Sequence, residues 1–191
     1  MHKIAVPIDL SLAKLDLLIY AIHLADSINA EVKVVSTINP SEDVLATREM
    51  GAIPQAVPEM DIQKRIQDSN EHLEKLTTEA LVKTDKEVKV RYETEAGFLA
   101  PILIKMVEEG LINFILLPID KGGSLLFNLL LAPESKIIED AHCPVIALPE
   151  KTMFKPYKNI VYASNHQRKD LLTLNKLLGV FRMQNPAIKV F

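Results

Sequence analysis

Two adjacent glycines, Gly122 and Gly123, follow the apolar run 111-LINFILLPI-119 and precede a helix-like pattern that extends to about Ala141. In a turn of this kind, between a strand and a helix, backbone N–H groups can bind phosphate. The neighbouring Lys121 either offers a phosphate a point charge or is simply solvated. The segment therefore raises the question of whether the chain binds a nucleotide.

Other side chains that could take part in catalysis or metal binding form weaker patterns. Cys143, in His142-Cys143-Pro144, has no second cysteine and no clear His–acid partner, so the pattern favours a buried structural thiol. No Ser-His-Asp order stands in a nucleophile-elbow context. The histidines lack metal-ligand spacing such as His-x3-His, which predicts that the chain holds no metal; they are His2, His23, His72, His142 and His166.

The elements that must position these residues alternate along the chain. Strand-like runs cover 3–9, 31–38, 87–95, 111–119 and 144–149. Helical spacing covers about 12–29, 59–83, 97–110 and the segment that ends near 141. This alternation predicts an α/β fold, a doubly wound parallel sheet with helices on both faces. Ligands of such sheets bind outside the carboxyl ends of the strands, where we expect Asp9, the loop 39–60 and the segment 119–133.

Composition narrows the classes of function. The chain has 191 residues, a net charge of −3 and one cysteine. The lack of basic bias argues against nucleic-acid binding. No apolar window is long enough to span a membrane, and the N-terminus lacks a signal-peptide pattern. With its single cysteine, the chain fits the reducing cytoplasm, which we expect to be its location.

The beginning of the sequence is repeated near its end. The segment 3–35 and the segment 158–191 both run strand, polar turn, helix with an Asp-Leu-Leu core, and short alternating strand. We expect a first domain over 1–150, a linker over 151–157 and a partial βαβ repeat over 158–191. A βαβ unit alone buries too little surface to be stable, so it must pack on the first domain, on a second copy or on a missing remainder.

The motifs 4-IAVPIDLS-11 and 141-AHCPVIALP-149, at opposite ends of the predicted first domain, resemble those of the universal stress protein family. The resemblance covers 1–150 as a complete domain and 158–191 as the start of a second, as in tandem members. It implies a five-stranded parallel α/β domain, dimerisation through the last strand, and a role in stress survival or regulation.

The family resemblance also bears on the glycine segment. ATP-binding members carry Gly-x2-Gly-x9-Gly-(Ser/Thr) after the fourth strand. Here Ile119 stands where the first glycine should be, and Ala132 and Pro133 replace the final pair. Pro133 has neither an N–H nor a hydroxyl, and the carboxylate of Glu134 would repel an anion at the helix start. These departures predict that ATP binding is weak or absent.

The resemblance assigns a pocket to five residues. Asp9 matches the family acid that contacts the adenosine part of the ligand, although such a residue also commonly caps a turn. The matching position in the repeat is Asn165, so the acid is absent there. With Asp9, the candidate nucleotide pocket consists of Val35, Lys121, Gly122 and Gly123.

These observations leave three functional hypotheses. The first is a non-catalytic stress protein that acts as a homodimer and through protein partners, and that binds ATP weakly or not at all. The second is a sensor that binds ATP or AMP near Asp9, with the loop 39–60 as a lid. The third, an ATP-splitting enzyme, needs a glycine-rich loop after the first strand, and 9-DLSLAKLD-16 has none. The strand 144–148 would lie at the sheet edge, where we expect it to pair with a second copy.

Overall fold

The computed structural model describes residues 1–10, 15–39, 59–119, 135–164 and 167–191. The described strands are β1 His2–Pro7, β2 Ala30–Ile38, β3 Val90–Ala96, β4 Phe114–Ile119, β5 Val145–Pro149, β6 Asn159–Tyr162 and β7 Ala187–Val190. The described helices are α1 Leu15–Ile28, α2 Glu59–Thr84, α3 Leu99–Glu108, α4 Ser135–Asp140 and α5 Arg168–Val180. Within these residues, no helix is both long and apolar enough to cross a membrane.

The first five strands form one parallel sheet in the order β3-β2-β1-β4-β5. This confirms the predicted five-stranded doubly wound α/β fold. The first strand ends at Pro7 rather than at Asp9, since the chain leaves the β1–β2 ladder there. One more bond follows, in which the Ile8 N–H donates to the Val35 carbonyl at 2.9 Å. The strand 144–149 lies at the sheet edge, as expected, because β5 pairs with β4 alone among the described strands.

Apolar clusters cover both faces of the sheet. One combines α1, α2 and strand residues such as Ile4 and Val34, and the other combines α3, α4 and residues such as Ala5 and Val35. The alternation of β1 and β2 therefore divides their side chains between two helical layers. The near-continuous apolar run of β4 suits its position beside β1, where Phe114–Leu117 are almost fully buried.

The strands β6 and β7 form a separate two-stranded parallel sheet, joined by α5. We call β6, α5 and β7 the second βαβ unit, and β1, α1 and β2 the first. The turn before the second strand of each unit has an asparagine with positive φ, at Asn29 (53°) and Asn185 (47°). Three packing arrangements were considered for the repeat, and in the structure it packs on the segment expected to be the first domain. Val180 and Phe181, at the end of α5, are buried in the same core cluster as α1.

The segment between β5 and β6 also lies on α1. The Phe154 ring contacts the rings of Tyr20 and His23, with centroids 5.4 Å and 5.9 Å away. The Tyr20 and Tyr157 hydroxyls share a hydrogen bond of 2.5 Å. Burial raises the pKa of both phenols.

A glutamine joins this segment to α1 by polar contacts. The Gln184 side chain donates to the Ser27 hydroxyl at 2.8 Å and accepts from the Tyr157 N–H at 2.6 Å. Together with the Tyr20–Tyr157 hydrogen bond, these bonds help to position the second βαβ unit on α1.

Candidate functional site

A cavity of about 320 Å³ lies at the carboxyl ends of β1, β2 and β4. The strand order reverses between β1 and β4, which is the point where doubly wound sheets bind ligands. Three of its nine lining residues, Asp9, Thr37 and Asn39, have polar side chains, and most of the lining surface is polar. The lining consists of Pro7, Ile8, Asp9, Val35, Thr37, Asn39, Leu99, Leu117 and Pro118.

Asp9 reaches the cavity because β1 ends two residues earlier. The bond from the Ile8 N–H to the Val35 carbonyl holds the chain against β2 at this point. The carboxylate therefore lies at the exposed mouth of the cavity, next to the buried Ile8. Asp9 also makes contacts within the protein.

Val35 contributes to the cavity in a different way from Asp9. Its side chain is fully buried in the cluster with α3, and its carbonyl accepts the Ile8 N–H. Val35 thus forms the floor of the cavity, and its carbonyl is already used in the fold.

Thr37 and Asn39 are lining residues that the sequence analysis missed. Thr37 lies two positions after Val35, so both side chains are on the face of β2 that α3 covers. The strand alternation in 31–38 contained this signal, since Val35 was already a candidate. Asn39 is the first residue after β2.

A glycine positions the remaining wall. Gly97 has a φ of +138°, a conformation that side chains disfavour, and its N–H donates to the Ile38 carbonyl at 2.8 Å. The sharp turn lets α3 begin at Leu99, directly beside the strand ends. Leu99 therefore lines the same cavity as Leu117 and Pro118 of β4.

The sequence and the fold can now be compared with those of known proteins. The sequence model of the universal stress protein family matches residues 1–149. The chain belongs to the universal stress protein family. A search of curated proteins found no significant match.

Solved structures of low sequence identity are similar to this universal stress protein. The hypothetical protein PH0823 has a TM-score of 0.54 at 16% identity, covering 81% of this chain and 99% of that chain. The hypothetical protein MJ0577 has a TM-score of 0.50 at 17% identity, covering 79% of this chain and 97% of that chain. The universal stress protein from Archaeoglobus fulgidus, solved in complex with dAMP, has a TM-score of 0.45 at 14% identity, covering 77% and 97%.

The glycine segment of this universal stress protein falls largely outside the described residues. Of the positions discussed above, Ile119 is described, and it is the last residue of β4, with its carbonyl accepting the Glu150 N–H at 3.3 Å. It is therefore an ordinary strand residue. The predictions for Lys121, Gly122, Gly123, Ala132 and Pro133, and for Asn165 and most of the loop 39–60, lie outside the described residues.

A larger groove of about 840 Å³ runs between α2 and Tyr92 of β3. Its lining is mixed, including Lys64, Glu71 and Glu74, and the Asn70 Oδ1 atom has no hydrogen-bond partner. Although this groove is larger than the strand-end cavity, we prefer the latter as the site. The groove draws seven of its eight lining residues from one helix surface, whereas the cavity collects side chains from three strand ends and a helix start.

Cys143 is half-buried, and burial raises the pKa of its thiol to about 11, with Lys176 acting weakly in the opposite direction. The thiol is therefore protonated at neutral pH, as expected for a structural rather than a reactive cysteine. Within the described ranges, no three His, Cys, Asp or Glu side chains form a group that could hold a metal ion.

Proposed function

We propose that this universal stress protein is a non-catalytic regulator whose strand-end cavity binds the nucleoside part of an adenine nucleotide. The observation that carries the proposal is the meeting of Asp9, Thr37 and Asn39 around a cavity of about 320 Å³ whose other six lining residues are apolar. The volume is at the lower end of the range of small-molecule sites.

The apolar walls suit a flat base. Leu99 and Leu117 offer apolar contact from a helix start and a strand end, and Val35 forms the floor. The polar groups at the strand ends can hydrogen-bond base edges or ribose hydroxyls, with the Asp9 carboxylate as an acceptor. A carboxylate, a hydroxyl and an amide can each bind a ligand by hydrogen bonds.

The sequence indicates that the phosphates of an adenine nucleotide add little to its binding affinity. Ile119, Ala132 and Pro133 replace residues of the family's phosphate motif, and Glu134 brings negative charge to the same segment. We propose that adenosine, AMP and Mg-ATP bind with similar affinities, because the nucleoside supplies most of the contacts.

A second proposal concerns assembly and location. β5 lies at the edge of the sheet, and its pairing with β4 leaves Val145 and Ala147 with backbone groups directed outward. We propose that the strand 144–148 pairs with a second copy and that protein partners bind the resulting dimer. We further propose that the dimer acts in the cytoplasm and binds neither nucleic acid nor membranes.

Thermal unfolding with added ligand tests the first proposal. We expect adenosine, AMP and Mg-ATP each to raise the Tm, and Asp9→Asn to weaken binding about tenfold or more through loss of a charged acceptor. Asp140→Asn is the matched control, since Asp140 is an exposed carboxylate at the end of α4 and should change nothing. An unchanged Tm with all three ligands would reject the proposal.

A further inference from the structure

The sheet edge opposite β5 is the strand β3, which pairs with β2 alone among the described strands. The Val32 N–H donates to the Lys89 carbonyl at 2.9 Å, and the Gly97 N–H donates to the Ile38 carbonyl at 2.8 Å. Since the backbone groups of successive strand residues point to opposite sides, the odd-numbered residues of β3 bond to β2. The even-numbered residues direct their N–H and C=O groups outward; they are Val90, Tyr92, Thr94 and Ala96.

The side chains of these outward residues lie on the face of β3 that α2 covers. The Thr94 hydroxyl shares a buried hydrogen bond of 2.6 Å with the Ser69 hydroxyl of α2. Tyr92 is two positions before Thr94, so its side chain is on the same face, where it lines the groove of about 840 Å³ along α2. An open backbone edge therefore runs beside a groove, which is the arrangement that binds extended peptides by strand addition.

The two ends of this groove carry opposite charges. Glu71 and Glu74 are three residues apart on α2, so both carboxylates lie on one helix face, and both line the groove with the exposed Tyr92 ring. Two carboxylates beside an aromatic ring suit an ammonium or guanidinium group. Lys64, also exposed, lines the other end of the groove and suits a carboxylate.

The spacing of these charges matches an extended chain. Ser69 of α2 is level with Thr94, and the end of α2 leads to the start of β3, so α2 runs antiparallel to β3. Lys64 therefore lies toward the carboxyl end of β3. At about 1.5 Å per residue, the midpoint between Glu71 and Glu74 is about 13 Å from Lys64 along the helix. A strand covers that distance in about four residues, and residues four apart point to the same side.

We propose that this edge and groove bind an extended segment of a protein partner, which adds an antiparallel strand to β3. Antiparallel pairing is the more stable arrangement per residue, and it places the first residues of the segment beside Lys64. The segment therefore has an acidic side chain and, four residues later, a basic side chain that lies between Glu71 and Glu74. The inference rests on the proposal that the chain acts through protein partners, and it names the surface and the chemistry of one of them.

Two synthetic peptides with blocked ends test the proposal on the full chain. The matching peptide is Thr-Thr-Glu-Thr-Val-Thr-Lys-Thr-Thr, and the exchanged peptide has the same composition with Glu and Lys interchanged. We expect NMR titration to show that the matching peptide binds about fivefold more tightly or better, as two exposed ion pairs allow. It should also slow hydrogen exchange of the Tyr92 and Thr94 amides. The Arg91 and Glu93 amides are the internal control, because they already bond to β2.

Charge reversal on α2 tests the groove from the protein side. Glu74→Lys should weaken binding of the matching peptide about fivefold, because it replaces an attraction by a repulsion. Asp68→Lys is the matched control and should change nothing, since Asp68 is an exposed carboxylate of α2 outside the groove lining. A chain that combines Lys64→Glu, Glu71→Lys and Glu74→Lys should prefer the exchanged peptide.

The proposal is overturned if neither peptide binds at millimolar concentration or if both bind equally. Tyr92 and Thr94 amides that are already protected in the free chain would also overturn it, since the edge would then be covered from within. Protection that rises with protein concentration alone would identify a second copy as the occupant and overturn it too. Peptide binding at another surface would overturn this site but not the proposal of protein partners.

Discussion

At the residue scale, the cavity depends on side chains that enter it from the ends of neighbouring strands. Asp9 could be identified from the sequence because it follows an apolar run and matches a family motif. Thr37 could have been identified from the alternation of β2, because it shares a face with Val35. Asn39 could not, because its position at the cavity follows from where β2 ends and α3 begins. The contribution of Val35 as floor likewise required the Ile8 hydrogen bond.

Cys143 provides a prediction at the same scale. Burial raises the pKa of its thiol from the ordinary value of 9.0 to about 11. This two-unit difference leaves about 100-fold less thiolate at pH 8 than in the unfolded chain, so alkylation should be slower by about that factor. The rate measured with iodoacetamide should rise through about pH 11 in the folded protein and level off near pH 9 in urea.

The sign of this shift also sets a stability trend. A thiol whose pKa is raised on folding stabilises the folded state fully below pH 9, and the contribution is lost as the pH rises toward 11. A folded-state alkylation rate that levels off by pH 9 would contradict the proposed environment of Cys143.

At the element scale, the second βαβ unit is held to the first domain by a few buried side chains. Its strands and helix could be predicted from periodicity and from the repeat. The way in which this unit packs on α1 could not be predicted, because the leucines of the Asp-Leu-Leu motif are buried in α1 but exposed in α5. Their exposed fractions are 6% and 0% for Leu17 and Leu18, and 66% and 67% for Leu171 and Leu172. The contact is made instead by Val180 and Phe181, at the other end of the helix.

Two phenylalanines of the second unit give a matched test of this docking. Phe181 is 4% exposed and contacts the Tyr157 ring, with centroids 4.9 Å apart, whereas Phe191 is 71% exposed. Phe181→Ala should lower the free energy of unfolding by about 3–5 kcal/mol, because it leaves a cavity. Phe191→Ala should change it by about 0.5 kcal/mol or less. Urea denaturation of the two variants measures both values, and equal losses would contradict the docking.

At the scale of the whole molecule, β3 and β5 are the two edges of the five-stranded sheet among the described strands. The sequence predicted the edge position of β5 correctly, and pairing with a second copy stays a prediction. Ala147→Pro removes an outward N–H from β5 and should shift the chain from dimer to monomer by light scattering at about 0.1 mM. Val90→Pro, at the opposite edge, is the control and should leave the dimer intact.

Monomeric wild-type protein at that concentration, or equal effects of the two proline variants, would contradict pairing through β5.

The central claim is that the strand-end cavity binds a nucleoside without the family's usual phosphate contacts. Calorimetric titration of the full chain with AMP and with Mg-ATP tests it most directly. The account predicts measurable heat with AMP and an affinity for Mg-ATP within about threefold of it, a difference well below 1.4 kcal/mol. No heat with either nucleotide, or Mg-ATP binding at least tenfold tighter than AMP, would contradict the account.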